Sequence, residues 1–430
     1  MLVSNESAQT ILKTPVLIEA LEEDVREATG EEIQINSIAE VEEAAQESTT
    51  NIVDLELGDS PTPGDDLILG TEQEDKINAL KGNDTVFGDR GRNSIANDTI
   101  YGQQGNDLIY GESGDDNLFG GSGNDKLFGD IDPADTNPNN GPFGNDTLRG
   151  GFGNDDLIGA IGDDNLLGGS GNDTLNGGDN EDTLRGGVGF DNLRGGLGND
   201  TIYGGSENDI ASGQEGSDLI HGGTGSDILY GDRINRIVGG PAADSLFGDS
   251  GNDTLIGGVG SDALDGGSGN DRLIGVGNNS ASNDDYGRST IDTLTGGSDS
   301  DTFVLGQGED IIFYDSGIPG NEGTRDYALI TDFELGRDSL DVAGSSNNYD
   351  LDFTSGDLPE GLGVFLEQGE TDELIAILEI DNIFSPSAST GTAQTASTIS
   401  SFTSVDLTGS EGAITDTGSV PVDDLGVKFV

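Results

Sequence analysis

Between residues 148 and 211, large apolar side chains recur nine residues apart: Leu148, Leu157, Leu166, Leu175, Leu184, Leu193 and Ile202, with Ala211 as the small member. The segments between them are mostly glycine and polar residues. In GGSGNDTLNGG, residues 168–178, Leu175 is the only large apolar side chain. A helix needs apolar positions at steps of three and four, and an ordinary strand needs them at every second residue; a nine-residue step is neither. One inward side chain bracketed by turns describes a very short strand. Each unit is therefore predicted to be a turn, a three-residue strand and a second turn.

An aspartate stands two residues before each of these positions and keeps the same period. Asp146, Asp155, Asp164, Asp173, Asp182, Asp191, Asp200, Asp209, Asp218 and Asp227 follow one another without a slip. The register returns at Asp66, Asp75 and Asp84; at Asp98, Asp107, Asp116 and Asp125; at Asp244, Asp253, Asp262 and Asp271; and at Asp292, Asp301 and Asp310. Steps of 14, 21, 17 and 21 residues separate these blocks, so inserts interrupt a fixed period. Loops are predicted at 85–97, 128–143, 231–243 and 275–291, as expected of inserts in a repeat array.

A glycine lies two residues before most of the aspartates, among them Gly105, Gly114, Gly123, Gly153, Gly162, Gly171, Gly189, Gly198, Gly216, Gly225, Gly251, Gly260 and Gly269. Glycine reaches positive φ without steric cost and leaves room for close backbone approach. Gln73, Ala96, Asn180, Glu207, Ala242, Thr290 and Asp299 replace it elsewhere. Asn and Asp tolerate left-handed geometry, so the other five predict weaker turns. Glycine does not recur at every third residue, which excludes collagen. The fixed apolar phase excludes a flexible glycine-rich linker.

Composition narrows the partner. The chain of 430 residues carries 83 acidic side chains against 17 basic ones, a net charge of -66. Nothing in it neutralises phosphates, so nucleic acid is excluded as a partner; the partner for so many carboxylates is a cation. No cysteine is present, which removes disulfides, thiolate catalysis and cysteine-based zinc sites. No run approaches the roughly 18 apolar residues of a membrane helix.

The nonapeptide Gly168-Gly169-Ser170-Gly171-Asn172-Asp173-Thr174-Leu175-Asn176 matches G-G-x-G-x-D-x-U-x at every specified position. The array resembles the RTX (hemolysin-type) nonapeptide-repeat calcium-binding family, over about residues 61–315. The resemblance implies an all-β fold: a right-handed parallel β-roll with two nonapeptides per coil, a C-terminal β cap and flexible termini. Alternate repeats would then share an edge, Asp146, Asp164 and Asp182 on one and Asp155, Asp173 and Asp191 on the other. The expected cofactor is Ca2+, several ions per chain. Its expected ligands are Asp107, Asp116, Asp125, the ten aspartates from Asp146 to Asp227, Asp253, Asp262 and Asp271, with the thirteen glycines named above.

Physical reasoning supports this choice of ion. Coils stacked at the ~4.7 Å strand spacing bring like charges together at ~3–4 kcal/mol per neighbour for an effective dielectric near 20, and a cation between them reverses the sign. Carboxylates and turn carbonyls are hard oxygen ligands, suited to calcium's flexible coordination over magnesium's strict octahedron. Burial of one leucine cannot offset the ordering of nine residues. The apo repeats are therefore expected to be largely unfolded, with ion binding appearing as folding free energy.

The flanks read differently. Residues 1–60 form an acidic segment in which Leu17, Leu21, Val25 and Ala28 predict a short amphipathic helix over 14–29. Residues 316–384 alternate apolar and polar positions, in DYALITDFELGRDSLDVAG (326–344), GVFLEQ (363–368) and ELIAILEI (373–380), and predict strands that cap the array. Residues 385–430 form a Ser/Thr/Ala/Gly-rich tail ending in Asp423, Asp424, Leu425, Val427, Phe429 and Val430. This ending is similar to the C-terminal signal of type I secretion in the family. The first twenty residues lack a basic n-region and an apolar h-region, so they do not read as a usual signal peptide. His221, the only histidine, stands three residues after Asp218 at an outward position.

The expectation is a secreted, extracellular or cell-surface calcium-binding protein without enzymatic activity. Its expected partners are the type I secretion machinery and cell-surface or matrix polymers, and its expected role is structural, surface-layer or adhesive. An RTX-associated extracellular hydrolase or polysaccharide-modifying enzyme is the alternative, with its site in a loop or the C-terminal β segment. The chain shows no nucleophile elbow or His-Glu metalloprotease motif. A pore-forming toxin would need a long apolar region, which is absent.

Overall fold

The computed structural model describes residues 51–55, 58–89, 96–130, 143–232, 242–276, 290–307, 311–312, 327–342, 349–354, 358–359, 361–367, 372–379 and 427–429. Every element among them is a β-strand or turn. The chain divides into two compact units, Met1–Gly205 and Ser206–Val430.

In the first unit, successive strands alternate between two parallel sheets. One runs Asn51–Asp54, Asp66–Thr71, Thr85–Asp89, Leu108–Glu112, Lys126–Asp130, Asp156–Ile161, Thr174–Asp179 and Asn192–Leu197. The other runs Lys76–Asn78, Thr99–Gln104, Asn117–Ser122, Thr147–Phe152, Asn165–Ser170 and Thr183–Val188. Leu157, Leu175 and Leu193 face one another in register, as do Leu148, Leu166 and Leu184. Partners are thus 18 residues apart, and two nonapeptides make one coil of a parallel β-roll.

The strands are longer than the three residues expected. Most span six, because pairing continues through the glycine pair, as in Gly178↔Gly196 beside Leu175↔Leu193. The glycines carry ladder hydrogen bonds but offer no side chain, so the apolar period could not reveal them. Within each strand burial alternates, and the period-nine residues are the buried members: Leu148, Leu157, Leu166, Leu175, Leu184 and Leu193 are all 0% exposed. The core is one side chain deep per sheet. That thinness leaves the turns at the edges to supply the remaining stability.

The second unit repeats the plan. Ile210–Glu215, Ile228–Asp232, Thr254–Gly258, Arg272–Val276, Thr302–Val304 and Ser339–Val342 form one parallel sheet. Leu219–Thr224, Ser245–Ser250, Ala263–Ser268, Ile291–Ser298, Tyr327–Ile330 and Asp372–Leu378 form the other. This second sheet then changes direction: Leu362–Glu367 pairs antiparallel to Asp372–Leu378, and Tyr349–Phe353 antiparallel to Leu362–Glu367. Tyr327, Leu374 and Ile377 pack together beneath it. The 326–344, 363–368 and 373–380 segments read as strands in the sequence hold Tyr327–Ile330, Ser339–Val342, Leu362–Glu367 and Asp372–Leu378.

The insert ranges need correction at their leading ends, and the 275–291 range also at its trailing end, where Ile291 begins a strand. Strands continue to Asp89, Asp130, Asp232 and Val276, inside ranges read as loop. Residues 90–95, 131–142, 233–241 and 277–289 lie outside the described residues, as do the 14–29 helix and the tail from Ser385 apart from Val427–Phe429. Those three residues pair parallel to Ser339–Val342.

Candidate metal centre: the stacked aspartate turns

Each repeat aspartate occupies the corner where the chain passes from one sheet to the other. The sixteen expected aspartate ligands are all only 1–2% exposed. The backbone N–H groups of fourteen of them donate to the side chain of the corresponding aspartate one coil further on. Asp155 N–H donates to Asp173 Oδ1 at 2.8 Å, and Asp173 N–H to Asp191 Oδ1 at 2.7 Å. On the opposite edge Asp146 donates to Asp164 at 2.7 Å and Asp164 to Asp182 at 2.8 Å. Alternate repeats therefore share an edge, as the family resemblance implied. In the second unit the same ladder runs from Asp209 to Asp227, Asp253, Asp271 and Asp301.

That hydrogen bond uses one carboxylate oxygen. The second, Oδ2, is buried without a hydrogen-bond partner at Asp107, Asp116, Asp125, Asp146, Asp155, Asp164, Asp173, Asp182, Asp227, Asp253, Asp262 and Asp271. A buried polar atom left unpaired costs about 1–3 kcal/mol, and a charged one more. One or two orphans could be local defects; a repeating row of them on each edge fits a row of cation-binding positions.

The surroundings of the orphan oxygen show which cation fits. A Cβ built on Gly168 would run into Asp173 Oδ2 and stand 2.7 Å from the carbonyl oxygen of Gly186. Gly159 bears the same relation to Asp164 Oδ2 and the Gly177 carbonyl. The glycine five residues before the aspartate thus keeps clear a pocket walled by a carboxylate oxygen and a turn carbonyl. Among the described residues no three His, Cys, Asp or Glu side chains converge on a metal position, so backbone carbonyls must complete the shell. A donor set of carboxylate and carbonyl oxygen fits calcium.

Electrostatics point the same way, with one change from the expectation. Burial pushes the carboxyl of Asp155 up to about 6, Asp173 and Asp164 to about 7, and Asp182 to about 8. In each case loss of hydration is the largest cause, and the aspartate-to-aspartate hydrogen bond opposes it. Repulsion between stacked carboxylates, the electrostatic penalty worked from the sequence, ranks below both. The reason is the one-residue core: it closes over the corners and takes the carboxylates out of water.

Twelve of the thirteen candidate glycines adopt positive φ, from +124° at Gly269 to +151° at Gly251; Gly260 is the exception. They let coils stack closely, since a Cβ on Gly171 would collide with the Gly153 carbonyl. Asn180, Glu207 and Asp299 also have positive φ, at +90°, +78° and +79°, short of the range the glycines adopt.

Sequence reasoning missed three features. The glycines five residues before each aspartate were seen only as half of a glycine pair. The residue just before each aspartate was an unspecified position, yet Asn154 Oδ1 accepts from Asn172 N–H at 2.8 Å and Asn124 Oδ1 from Asn154 N–H at 2.9 Å. The frequent Asn-Asp pair was the available signal. Asp338 also extends the ladder beyond the last nonapeptide, accepting from Asp301 N–H at 3.1 Å, and Gly336-Arg337-Asp338-Ser339-Leu340 keeps the G-x-D-x-U core of the motif. His221 lies outside the site, half-buried, with its ring stacked on Phe247 at 4.6 Å and Nδ1 3.1 Å from Asp249 Oδ2.

A family model described as the RTX calcium-binding nonapeptide repeat matches residues 61–95, 94–127, 143–175, 176–211, 203–233, 234–275 and 286–318, more than half of the chain. The chain belongs to this RTX repeat family. No curated protein matches it. It is a calcium-binding repeat protein built as a parallel β-roll, and the residues that would hold the ions are the corner aspartates with the carbonyls of neighbouring glycine turns. Bound calcium supplies the positive charge that the buried carboxylates lack.

Proposed function

We propose that this RTX protein is secreted in an unfolded state, folds on binding calcium outside the cell, and serves there as a structural, surface-layer or adhesive element without catalytic activity. The observation that supports this most directly is the row of buried aspartates with unpaired Oδ2 atoms on both edges. Such a fold is poorly stable where calcium is scarce and complete where it is plentiful, so folding follows compartment. The tail from Ser385, similar to a type I secretion signal, agrees with passage of an unfolded chain. A polymer partner at the cell surface or in the matrix is consistent with a chain rich in repeats, with its single histidine outside the site.

The test is far-UV circular dichroism of the whole chain, titrated from chelator to ~10 mM calcium with magnesium in parallel. A cooperative, calcium-specific rise in strand signal is expected. Full strand signal in chelator at neutral pH would refute calcium-dependent folding. Hydrolysis of a polysaccharide, ester or peptide substrate by the purified chain would refute the non-enzymatic reading.

A further inference from the structure

The inserts do not leave the roll at random. In the first unit they precede Asp98 and Asp146, and in the second Asp244 and Asp292. Asp98 and Asp146 belong to one hydrogen-bonded edge through Asp116, and Asp244 and Asp292 to one edge through Asp262. At the first three departures the second glycine of the pair is replaced by aspartate, giving Gly88-Asp89, Gly129-Asp130 and Gly231-Asp232. None belongs to the nine-residue register.

Asp130 shows what the substitution does. It is 1% exposed. Its Oδ1 accepts the N–H of Gly144 at 3.3 Å across the insert, where the glycine N–H of a regular turn donates to a backbone carbonyl of the next coil, as Gly153 does to Ser170. Its Oδ2 is buried with no hydrogen-bond partner. The regular pocket survives beside it: a Cβ on Gly129 would meet Asp146 Oδ2 and lie 2.8 Å from the Gly159 carbonyl. Asp130 is also within electrostatic reach of Asp116, Asp146 and Asp164. The Asp146 turn therefore contains two buried carboxylates, each with an unpaired oxygen, where a regular turn contains one. Asp232 holds the corresponding position within electrostatic reach of Asp244, and differs in that its Oδ2 accepts from Val259 N–H at 2.5 Å.

We propose that Asp130 and Asp146 form a two-carboxylate divalent-cation position that fills with calcium before the single-aspartate turns, and that Asp232 with Asp244 repeats it. The insert-bearing edge then orders first and the regular turns stack onto it. The proposal rests on the calcium-binding reading of the repeats and adds two carboxylates to it. Affinity for calcium rises with the number of charged ligands in a site, which gives the order of filling.

The test is isothermal titration of the full chain with calcium alone, wild type against Asp130→Asn. Asparagine keeps an oxygen to accept from Gly144 N–H but removes the charge, so it separates the hydrogen-bonding role from the ionic one. In the wild type a tight class of ions, distinct from the remainder, is expected. In the variant one ion should leave that class, binding about tenfold more weakly, with the weaker class unchanged. A single class of equal sites in the wild type, or a variant with the same tight class, would overturn the proposal and leave Asp130 as a carbonyl substitute only. If Asp130→Asn does not fold in saturating calcium, the same count on Asp232→Asn decides. Absence of any calcium binding by the wild type would instead refute the underlying reading of the repeats.

Discussion

Acid should fold the calcium-free chain. Asp173 titrates at about 7 in the folded turn against an ordinary value of 3.8, chiefly because burial removes its hydration. Its protonated form therefore favours the fold and its ionised form opposes it. Below pH ~4 the carboxyl is neutral in both states and no penalty exists. Between pH ~4 and ~7 the folded state holds a proton that the unfolded chain has released, so stability falls as pH rises. Above pH ~7 the whole penalty is present. At about 1.4 kcal/mol per pKa unit the shift amounts to about 4 kcal/mol, and we take about half of it because solvent lies one side chain away. Repeated over Asp116, Asp125, Asp146, Asp164, Asp182, Asp244 and Asp253, which are also raised to about 7 or above, even the discounted figure exceeds the whole stability of an ordinary domain, about 5–15 kcal/mol.

The assay is far-UV circular dichroism in chelator from pH 3 to 9, at a concentration low enough to avoid precipitation near the sequence pI of about 4.1. Strand signal is expected at pH 5 and below, lost between pH 5 and 7, and restored at pH 8 by calcium. Calcium added to the folded, protonated chain near pH 5 in weak buffer should displace protons from these carboxyls and release them. A chelated chain that stays disordered at pH 4–5, or that gains strand as pH rises, would refute the argument that the cation offsets buried charge.

Other perturbations separate the parts of the turn. Gly168→Ala places a methyl in the pocket shared by Asp173 Oδ2 and the Gly186 carbonyl; one fewer bound calcium is expected by titration, with most of the strand signal kept. Gly171→Ala puts a side chain at φ +132° against the Gly153 carbonyl and should lower stability in saturating calcium by about 1–3 kcal/mol, seen as a lower melting temperature. Asp173→Ala removes the acceptor of Asp155 N–H as well as an ion ligand. Because neighbouring coils share the load, a local loss of hydrogen-exchange protection is expected, and loss of all folded signal would count against a modular roll. Leu175→Ala should cost about 2–5 kcal/mol with calcium present, measured by denaturant unfolding.

The sequence displayed the period, the inward residue and the corner aspartate because each is a side-chain choice repeated at fixed spacing. Leu175 and Asp173 could be assigned to core and edge without coordinates. The backbone's share was less visible. Gly177 and Gly178 lie in a strand, yet glycine carries no polarity to mark pairing, so the strand was read as three residues instead of six. Gly168 was legible as a turn former but not as the wall of an ion pocket, which requires knowing that Gly186 stacks above it. Asp338 was overlooked because it falls outside the nine-residue step, although its G-x-D-x-U setting repeats the motif. Asp130 escaped for the same reason.

The two side-chain ladders at each corner have opposite polarity, and this bears on how the roll assembles. Asp155 N–H donates forward to Asp173 of the next coil, whereas Asn172 N–H donates backward to Asn154 of the previous one. Asp173 in turn donates forward to Asp191, and Asn172 Oδ1 accepts from Phe190 N–H at 3.1 Å. A corner therefore completes its hydrogen bonds only when the coils on both sides are in place. An isolated pair of repeats would bury carboxylates without the N–H donors that partly offset their desolvation. Calcium alone cannot remedy that, since each ion pocket also draws a carbonyl from the adjacent coil, as Gly186 does for Asp173. Hydrogen bonding, ion binding and leucine burial thus share one nearest-neighbour dependence. Growth from an already ordered coil is favoured over independent nucleation, which is why the order in which calcium fills the turns governs where folding begins.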